Sequence, residues 1–211
     1  MKDIFGLHIP ETLKEVCDPQ RVALLVYDMQ VGILNQIKNP EQITLHVLKV
    51  LSAARHAGVR VLFSRHLSLP KELMGMSQFR MAMAWQRTDS PEQVKPWFLR
   101  DDPSFQIIPE LAPRPTEGVF DKLAMSAFEG TWLDFALRDC GTNAFIIVGV
   151  ATEIGIEPTI RHGADLGYIP VFVNDACGSA NAEAAQRSIN NIKFIGDALI
   201  TDTETVCLLW K

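Results

Sequence analysis

Three positions in this chain of 211 residues pair a place at the end of an apolar run with a residue type that bears on chemistry. The first is Asp28. It follows Arg21 to Tyr27, with VALLVY at its centre, a run whose length and composition read as a strand buried on both faces. An acidic residue at the carboxyl end of a central parallel strand stands at the mouth of the sheet, where such folds bind ligands; on position alone it serves equally as a helix or loop cap. The second is Lys122, near the end of the strand expected over Gly118 to Leu123. An ammonium a few Å from a carboxylate holds it ionised and orients it, or stabilises negative charge that develops on a substrate. The third is Gly155, which offers no side chain at all, just inside a helix start.

That helix start belongs to the stretch around which the chain is organised, Ala144 to Tyr168. Ala144–Val148 reads as a doubly buried strand, Gly149-Val150-Ala151 as a sharp turn, and Thr152 as the N-cap of a helix with Glu153 in its first turn, where the dipole favours a carboxylate. Ile156, Ile160, Ala164 and Gly167 form its stripe of apolar or small residues. Backbone N–H groups at such a start point into the crevice of a parallel sheet.

The remaining elements position these residues. Residues 1–20 are expected to be an N-terminal arm with a few helical turns starting near Pro10-Glu11-Thr12, and residues 21–211 one domain. Pro40 to Ala57 has helical spacing, with Ile43, Val47, Leu48, Leu51 and Ala54 on one face and Gly58 as C-cap. Val59–Ser64 is the second strand, which closes a right-handed βαβ unit. Residues 67–117 hold seven prolines and are expected to be irregular, a lid or binding wall. Phe79, Arg80, Trp85, Arg87 and Trp97 are its candidates to line a pocket; packing beneath a long loop or a subunit contact is the plainer role for any one of them. A helix over Thr131–Cys140, a strand over Ile169–Val173, a helix over Asn181–Asn191 and a strand over Asp197–Thr201 complete the alternation that marks an α/β fold.

Composition narrows the function. The net charge of −5 invites neither nucleic acid nor an anionic membrane surface. No apolar run reaches the roughly 18 residues needed to span a bilayer, and the N-terminus lacks a signal-peptide apolar block. Cys17, Cys140, Cys177 and Cys207 are scattered without CxxC spacing, as free thiols of a reducing compartment, so the expected location is cytoplasmic. His66, after the second strand, stands without partners at ligand spacing; no metal site and no cofactor are expected.

Gly149-Val150-Ala151-Thr152-Glu153-Ile154-Gly155-Ile156-Glu157-Pro158-Thr159 resembles the pattern Gly-Val-x-Thr-Asp/Asn-x-Cys-Val-x-x-Thr of the isochorismatase-like hydrolase superfamily, the cysteine hydrolases. The run from Lys122 to Phe128 resembles the family's Lys-x-x-x-Ser-Ala-Phe at every defined position. The resemblance covers nearly the whole chain after the arm. It implies a three-layer, Rossmann-like α/β/α fold with a mostly parallel six-stranded sheet in order 3-2-1-4-5-6. It further implies Asp28 as catalytic acid/base, Lys122 as its partner, a non-proline cis peptide at Val150–Ala151, an oxyanion hole of turn and helix-start N–H groups, and a dimer or tetramer. Where the family pattern has its nucleophilic cysteine, this chain has Gly155.

Glycine carries no nucleophile, so covalent acyl transfer through residue 155 is excluded. The true isochorismatases resemble this chain in carrying glycine there. Their vinyl ether hydrolysis turns on protonating a carbon, for which an acidic Asp, a Lys and a water suffice. They differ in having Ala-His where this chain has Thr152-Glu153. Three readings follow. One is a hydrolase of a small, anionic molecule using Asp28, Lys122 and an activated water, with Gln30, Arg87, Trp97, Ala151 and Phe128 contacting substrate. Another is an altered relative that acts as a small-molecule-binding or regulatory protein. The third is an amidohydrolase that recruits Cys177.

Overall fold

A computed structural model describes residues 2–211. Its centre is a sheet of six strands, β1 (Val22–Tyr27), β2 (Arg60–His66), β3 (Gly118–Lys122), β4 (Ala144–Gly149), β5 (Ile169–Cys177) and β6 (Leu199–Thr201). All pairings are parallel and the order is 3-2-1-4-5-6, as the family resemblance implied. The six helices longer than one turn are α1 (Pro40–Ala57), α2 (Met76–Gln86), α3 (Leu133–Asp139), α4 (Glu157–Asp165), α5 (Ala182–Ile195) and α6 (Thr203–Leu209). None of the helices is long and apolar enough to cross a membrane among the described residues.

The continuous apolar runs are explained by burial on both faces. In β1, Val22, Leu24 and Val26 enter one core, where Val47, Val50, Leu51 and Ala54 of α1 cover them. Ala23, Leu25 and Tyr27 enter the other, under Leu133 and Leu137 of α3, Ile160 of α4 and Ile192 of α5. A strand whose successive side chains both meet a helical layer cannot alternate apolar with polar.

The sequence reading fails in five places. The arm opens as an antiparallel hairpin, Lys2–Ile4 with Leu7–Ile9, turned by Phe5 (φ 50°) and Gly6 (φ 78°), the two positive φ values of a tight hairpin turn. A single helical turn, Leu13–Val16, follows, with Thr12 and Glu15 forming a capping box. The irregular segment contains α2, which fits the proline-free gap between Pro70 and Pro91 and its Met, Ala and Gln helix formers. β5 runs on past Val173 to Cys177, and its pairing with β4 shifts register between Ile147 and Gly149. Finally, Thr152 does not cap with its side chain; its hydroxyl donates to Gly178 O at 3.0 Å, and the residue opens a π-helical turn, Thr152–Ile156, that leads into α4. Gly163 rather than Ala164 completes the buried face with Ile156, Thr159 and Ile160.

Gly149 ties the sheet to this turn. Its φ is 124°, and a Cβ there would lie 2.1 Å from Tyr27 O. The close approach lets Val150 N donate to Tyr27 O at 3.0 Å and Gly178 N donate to Gly149 O at 2.8 Å. Gly149→Ala therefore meets both steric overlap and an unfavourable backbone region, and should lower unfolding free energy by about 2 kcal/mol or more, read as a lower midpoint in urea.

Candidate active site

Asp28 takes the first position after β1 with φ 47°, a left-handed conformation that Asp tolerates better than most residues. This aims its carboxylate across the ends of β2 and β3. Ser64 of β2 donates to Oδ1 at 2.6 Å, and Lys122 Nζ of β3 lies 2.7 Å from Oδ2. Asp28 is 4 % exposed and Lys122 2 %, so the pair is withdrawn from water. Nζ also donates to Ala124 O at 3.2 Å and lies 4.5 Å from the centre of the Tyr27 ring. Burial pulls the Lys122 pKa down from its ordinary value, while the charge and hydrogen bond of Asp28 oppose that fall. The ammonium thus holds its proton less firmly than a surface lysine does.

Gly155 sits beside this pair, and its lack of a side chain has a steric cause on the opposite strand. A Cβ at 155 would fall 1.8 Å from the Tyr27 phenol oxygen and 2.5 Å from Cζ. The ring of Tyr27 fills the space that any side chain at 155 would need. Its hydroxyl donates to Met125 O, and its pKa is raised well above the ordinary value by burial and then by the Asp28 charge, so the phenol stays protonated. Next to it, the Val150–Ala151 peptide is cis. Of the turn and helix-start amides expected to face a developing oxyanion, three at the helix start turn inward instead. Ile154, Gly155 and Ile156 N–H all donate to Ala151 O, at 3.3, 3.1 and 3.2 Å.

A cavity of about 270 Å³ opens over these groups. Asp28, Ala151, Gly155, Trp85 and Trp97 line it, as expected from sequence, and so do Tyr27 and His66. Three expected substrate contacts do not. Gln30 is buried beneath, its amide strapping the backbone: it donates to Phe105 O at 2.8 Å and to His66 O at 3.1 Å, and accepts from His66 N at 2.6 Å. Phe128 stacks on Tyr168 in the core, ring centres 5.6 Å apart. Arg87 is the exposed left-handed cap of α2, on an outer recess shared with Arg80 and Asp89. Among the described residues lining the cavity there is no lysine or arginine, and Asp28 is the single carboxylate.

Cys177 also fails as a displaced nucleophile. It lies on β5, outside the cavity lining, its thiol directed at Ile147 O at 3.5 Å, and burial pushes its pKa well above the ordinary thiol value. His66 is the group that sequence reading undervalued. Burial, and then the Lys122 charge, lower its pKa to about 4, against an opposing effect from Asp28, so the imidazole is neutral at physiological pH. Its position at the carboxyl end of β2, level with Lys122 in the strand register, was the available clue.

The isochorismatase domain family matches residues 22–205 of the chain. A ureidoacrylate amidohydrolase, RutB, from Pantoea ananatis is 29 % identical over 196 residues, 84 % of this chain and 78 % of that protein. A crystal structure of a cysteine hydrolase from Pseudomonas syringae pv. phaseolicola superposes with a TM-score of 0.76 at 27 % identity, covering 90 % of this chain and 92 % of that one. An N-carbamoylsarcosine amidase from Thermoplasma acidophilum shares the fold at 20 % identity, with a TM-score of 0.71 and coverage of 87 % and 97 %.

Two outcomes follow from the site geometry. Gly155→Ala should destabilise by about 1–3 kcal/mol, and in a Tyr27→Val background the same change should cost much less; a double-mutant cycle in urea reads the coupling. For His66, the folded pKa lies below the ordinary 6.5, so the unfolded chain binds the proton first. Stability should fall as pH drops from 6.5 towards about 4, and His66→Gln should reduce that part of the fall in Tm.

Proposed function

The chain belongs to the isochorismatase family of hydrolases, and on that footing we propose that it hydrolyses its substrate with water, using Asp28 and Lys122 and no covalent intermediate. The observation that carries this reading is the pairing of an intact, buried Asp28–Lys122 contact at 2.7 Å with a nucleophile position that Tyr27 has filled. A buried ion pair is costly to desolvate and adds little stability for that cost, so its retention beside a cavity points to use.

The step balances on these groups. The Lys122 ammonium gives up a proton through the Asp28 carboxylate, across the 2.7 Å contact, to the substrate: to carbon in a vinyl ether, to the leaving atom in an ester or amide. Water adds its hydroxyl to the electrophilic carbon and returns its other proton through Asp28 to the pair. The bond to the leaving group then breaks, directly in an ester or amide whose leaving atom is already protonated, and in a vinyl ether by collapse of the hemiketal as its hydroxyl proton passes by way of Asp28 to the departing alcohol oxygen. One water is consumed and the pair is restored. The lowered pKa of Lys122 favours this donation. With the amides of residues 154–156 taken up by Ala151 O, an oxyanion at a carbonyl would rest on the turn amides alone, which favours substrates whose difficult step is protonation. Vinyl ethers therefore rank ahead of amides, even though a relative is named for ureidoacrylate amide hydrolysis.

Wild type and Asp28→Asn, each incubated with neutral and charged vinyl ethers, esters and amides, isochorismate and ureidoacrylate among them, would be compared by mass spectrometry of products. Wild type should release product from at least one vinyl ether, and Asp28→Asn should be slower by about 10²–10⁴-fold. Because removing one partner of a buried pair destabilises by about 3–5 kcal/mol, the double variant Asp28→Asn with Lys122→Met should recover stability without recovering activity. Turnover that survives in Asp28→Asn would refute the mechanism. A panel that gives no product with wild type, while a ligand raises Tm, would favour a binding protein instead.

A further inference from the structure

We infer that the cavity is built for an uncharged molecule with a flat apolar body, aromatic or conjugated, whose one polar end meets Asp28. This names the substrate class of the hydrolytic site proposed above and rests on that reading for the word substrate, but the binding claim stands on the cavity walls.

The first observation is electrostatic. None of the cations near the cavity lines its wall: Lys95 borders only the smaller recess behind Trp85 and Trp97, and the others are held elsewhere. Lys122 is bound to Asp28 at 2.7 Å. Arg65 lies 2.7 Å from Asp121 and 4.4 Å from the centre of the Phe105 ring, and Arg100 shares the same Asp121 at 3.0 Å. Arg87 faces the outer side of α2. His66 is neutral above about pH 4. Asp28 is thus the one group on the cavity wall with a formal charge, and that charge is neutralised by Lys122 behind it. An anionic ligand entering here would leave water for a low-dielectric wall with no free cation, a penalty of several kcal/mol for a buried ion.

The second observation concerns shape. The aromatic rings of Trp85, Trp97 and Phe98 and the aliphatic side chains of Ile37, Val150 and Ile154 together line the cavity. Trp85 remains 46 % exposed, a large apolar surface at the mouth that a ligand would cover. Behind the aromatic wall a second recess of about 70 Å³ shares His66, Trp85, Trp97 and Phe98 and is lined further by Met74 and Met81. Methionine fills and yields in such places, so the wall can give way to a longer apolar group. At about 270 Å³ the main cavity lies near the lower end of small-molecule sites, roughly 300–1,000 Å³, which limits the ligand to something near the size of a substituted benzene ring.

Trp85 and Trp97 supply the readout, because the other two tryptophans, Trp132 and Trp210, lie outside both recesses. Phenylacetamide, phenylacetate, phenethylammonium and acetamide would be titrated against the wild-type protein, following tryptophan fluorescence and Tm. Phenylacetamide should bind about tenfold or more tightly than phenylacetate and than acetamide. Trp97→Ala should weaken it by about the same factor, with the far-ultraviolet circular dichroism spectrum unchanged. Phenethylammonium binding more tightly than the amide would overturn the claim of an uncharged ligand. Phenylacetate equal to or tighter than the amide would overturn it too, as would no binding of the amide up to about 10 mM. Acetamide matching phenylacetamide would overturn the flat apolar body. These measurements involve no turnover. A protein that binds the neutral aromatic probe but hydrolyses nothing fails the mechanism alone, and one that hydrolyses only anions fails the substrate class alone.

Discussion

Lys122 and Asp28 meet 2.7 Å apart with almost no exposure, and much of the surrounding architecture follows from keeping that contact satisfied. Two opposite charges removed from water are tolerable only where geometry and further hydrogen bonds compensate the lost hydration. Ser64 supplies one such bond to Asp28 and Ala124 O another to Lys122, while the face of Tyr27 lies against the ammonium. These groups come from the carboxyl ends of three adjacent parallel strands and the segment after the third, so the pair exists only if the order 3-2-1 is formed in register. The strap of Gln30 onto the backbone of His66 and Phe105 ties the chain after β1 to the end of β2, beside the pair.

The second constraint is the interlock of Tyr27 with Gly155. A phenol on β1 and a bare backbone on the turn after β4 occupy one volume between them. The absence of a nucleophile at 155 is therefore more than a deletion: the space is filled, and filled by a protonated phenol beside Asp28. A substitution at 155 alone cannot bring a side chain into the site without moving Tyr27. This gives the water-based chemistry proposed above a structural reason within the chain. The inward-turned amides around Ala151 agree with it, because they offer little to a negative oxygen formed at a carbonyl.

Much of the fold could be read from sequence because its signals are local. VALLVY and AFIIV are buried on two faces and so lack polar alternation, and Pro40 to Gly58 carries both its start and its stop. Asp28, Lys122 and Gly155 were legible from their places at strand ends together with the matched motifs. The hairpin at Lys2–Ile9 was missed because its turn uses Phe5-Gly6 and its strands are three residues long, too short for a period to emerge. The substrate contacts fared worse for a physical reason. Which way Gln30, Arg87 or Phe128 faces depends on long-range partners: the backbone of residues 66 and 105, the outward cap of α2, the stack on Tyr168. The meeting of Tyr27 with Gly155, 128 residues later, is of the same kind, although each residue stands in the open in its own motif.

The account centres on hydrolysis through the Asp28–Lys122 pair without any thiol. Its most direct test is a variant with all four cysteines removed, Cys17→Ala, Cys140→Ser, Cys177→Ala and Cys207→Ser, assayed on whichever substrate wild type turns over. Given a folded protein by circular dichroism, kcat/KM should stay within about threefold of wild type. A loss of about 100-fold or more in the folded variant, reproduced by Cys177→Ala alone, would mean that a thiol carries the reaction and would contradict the account.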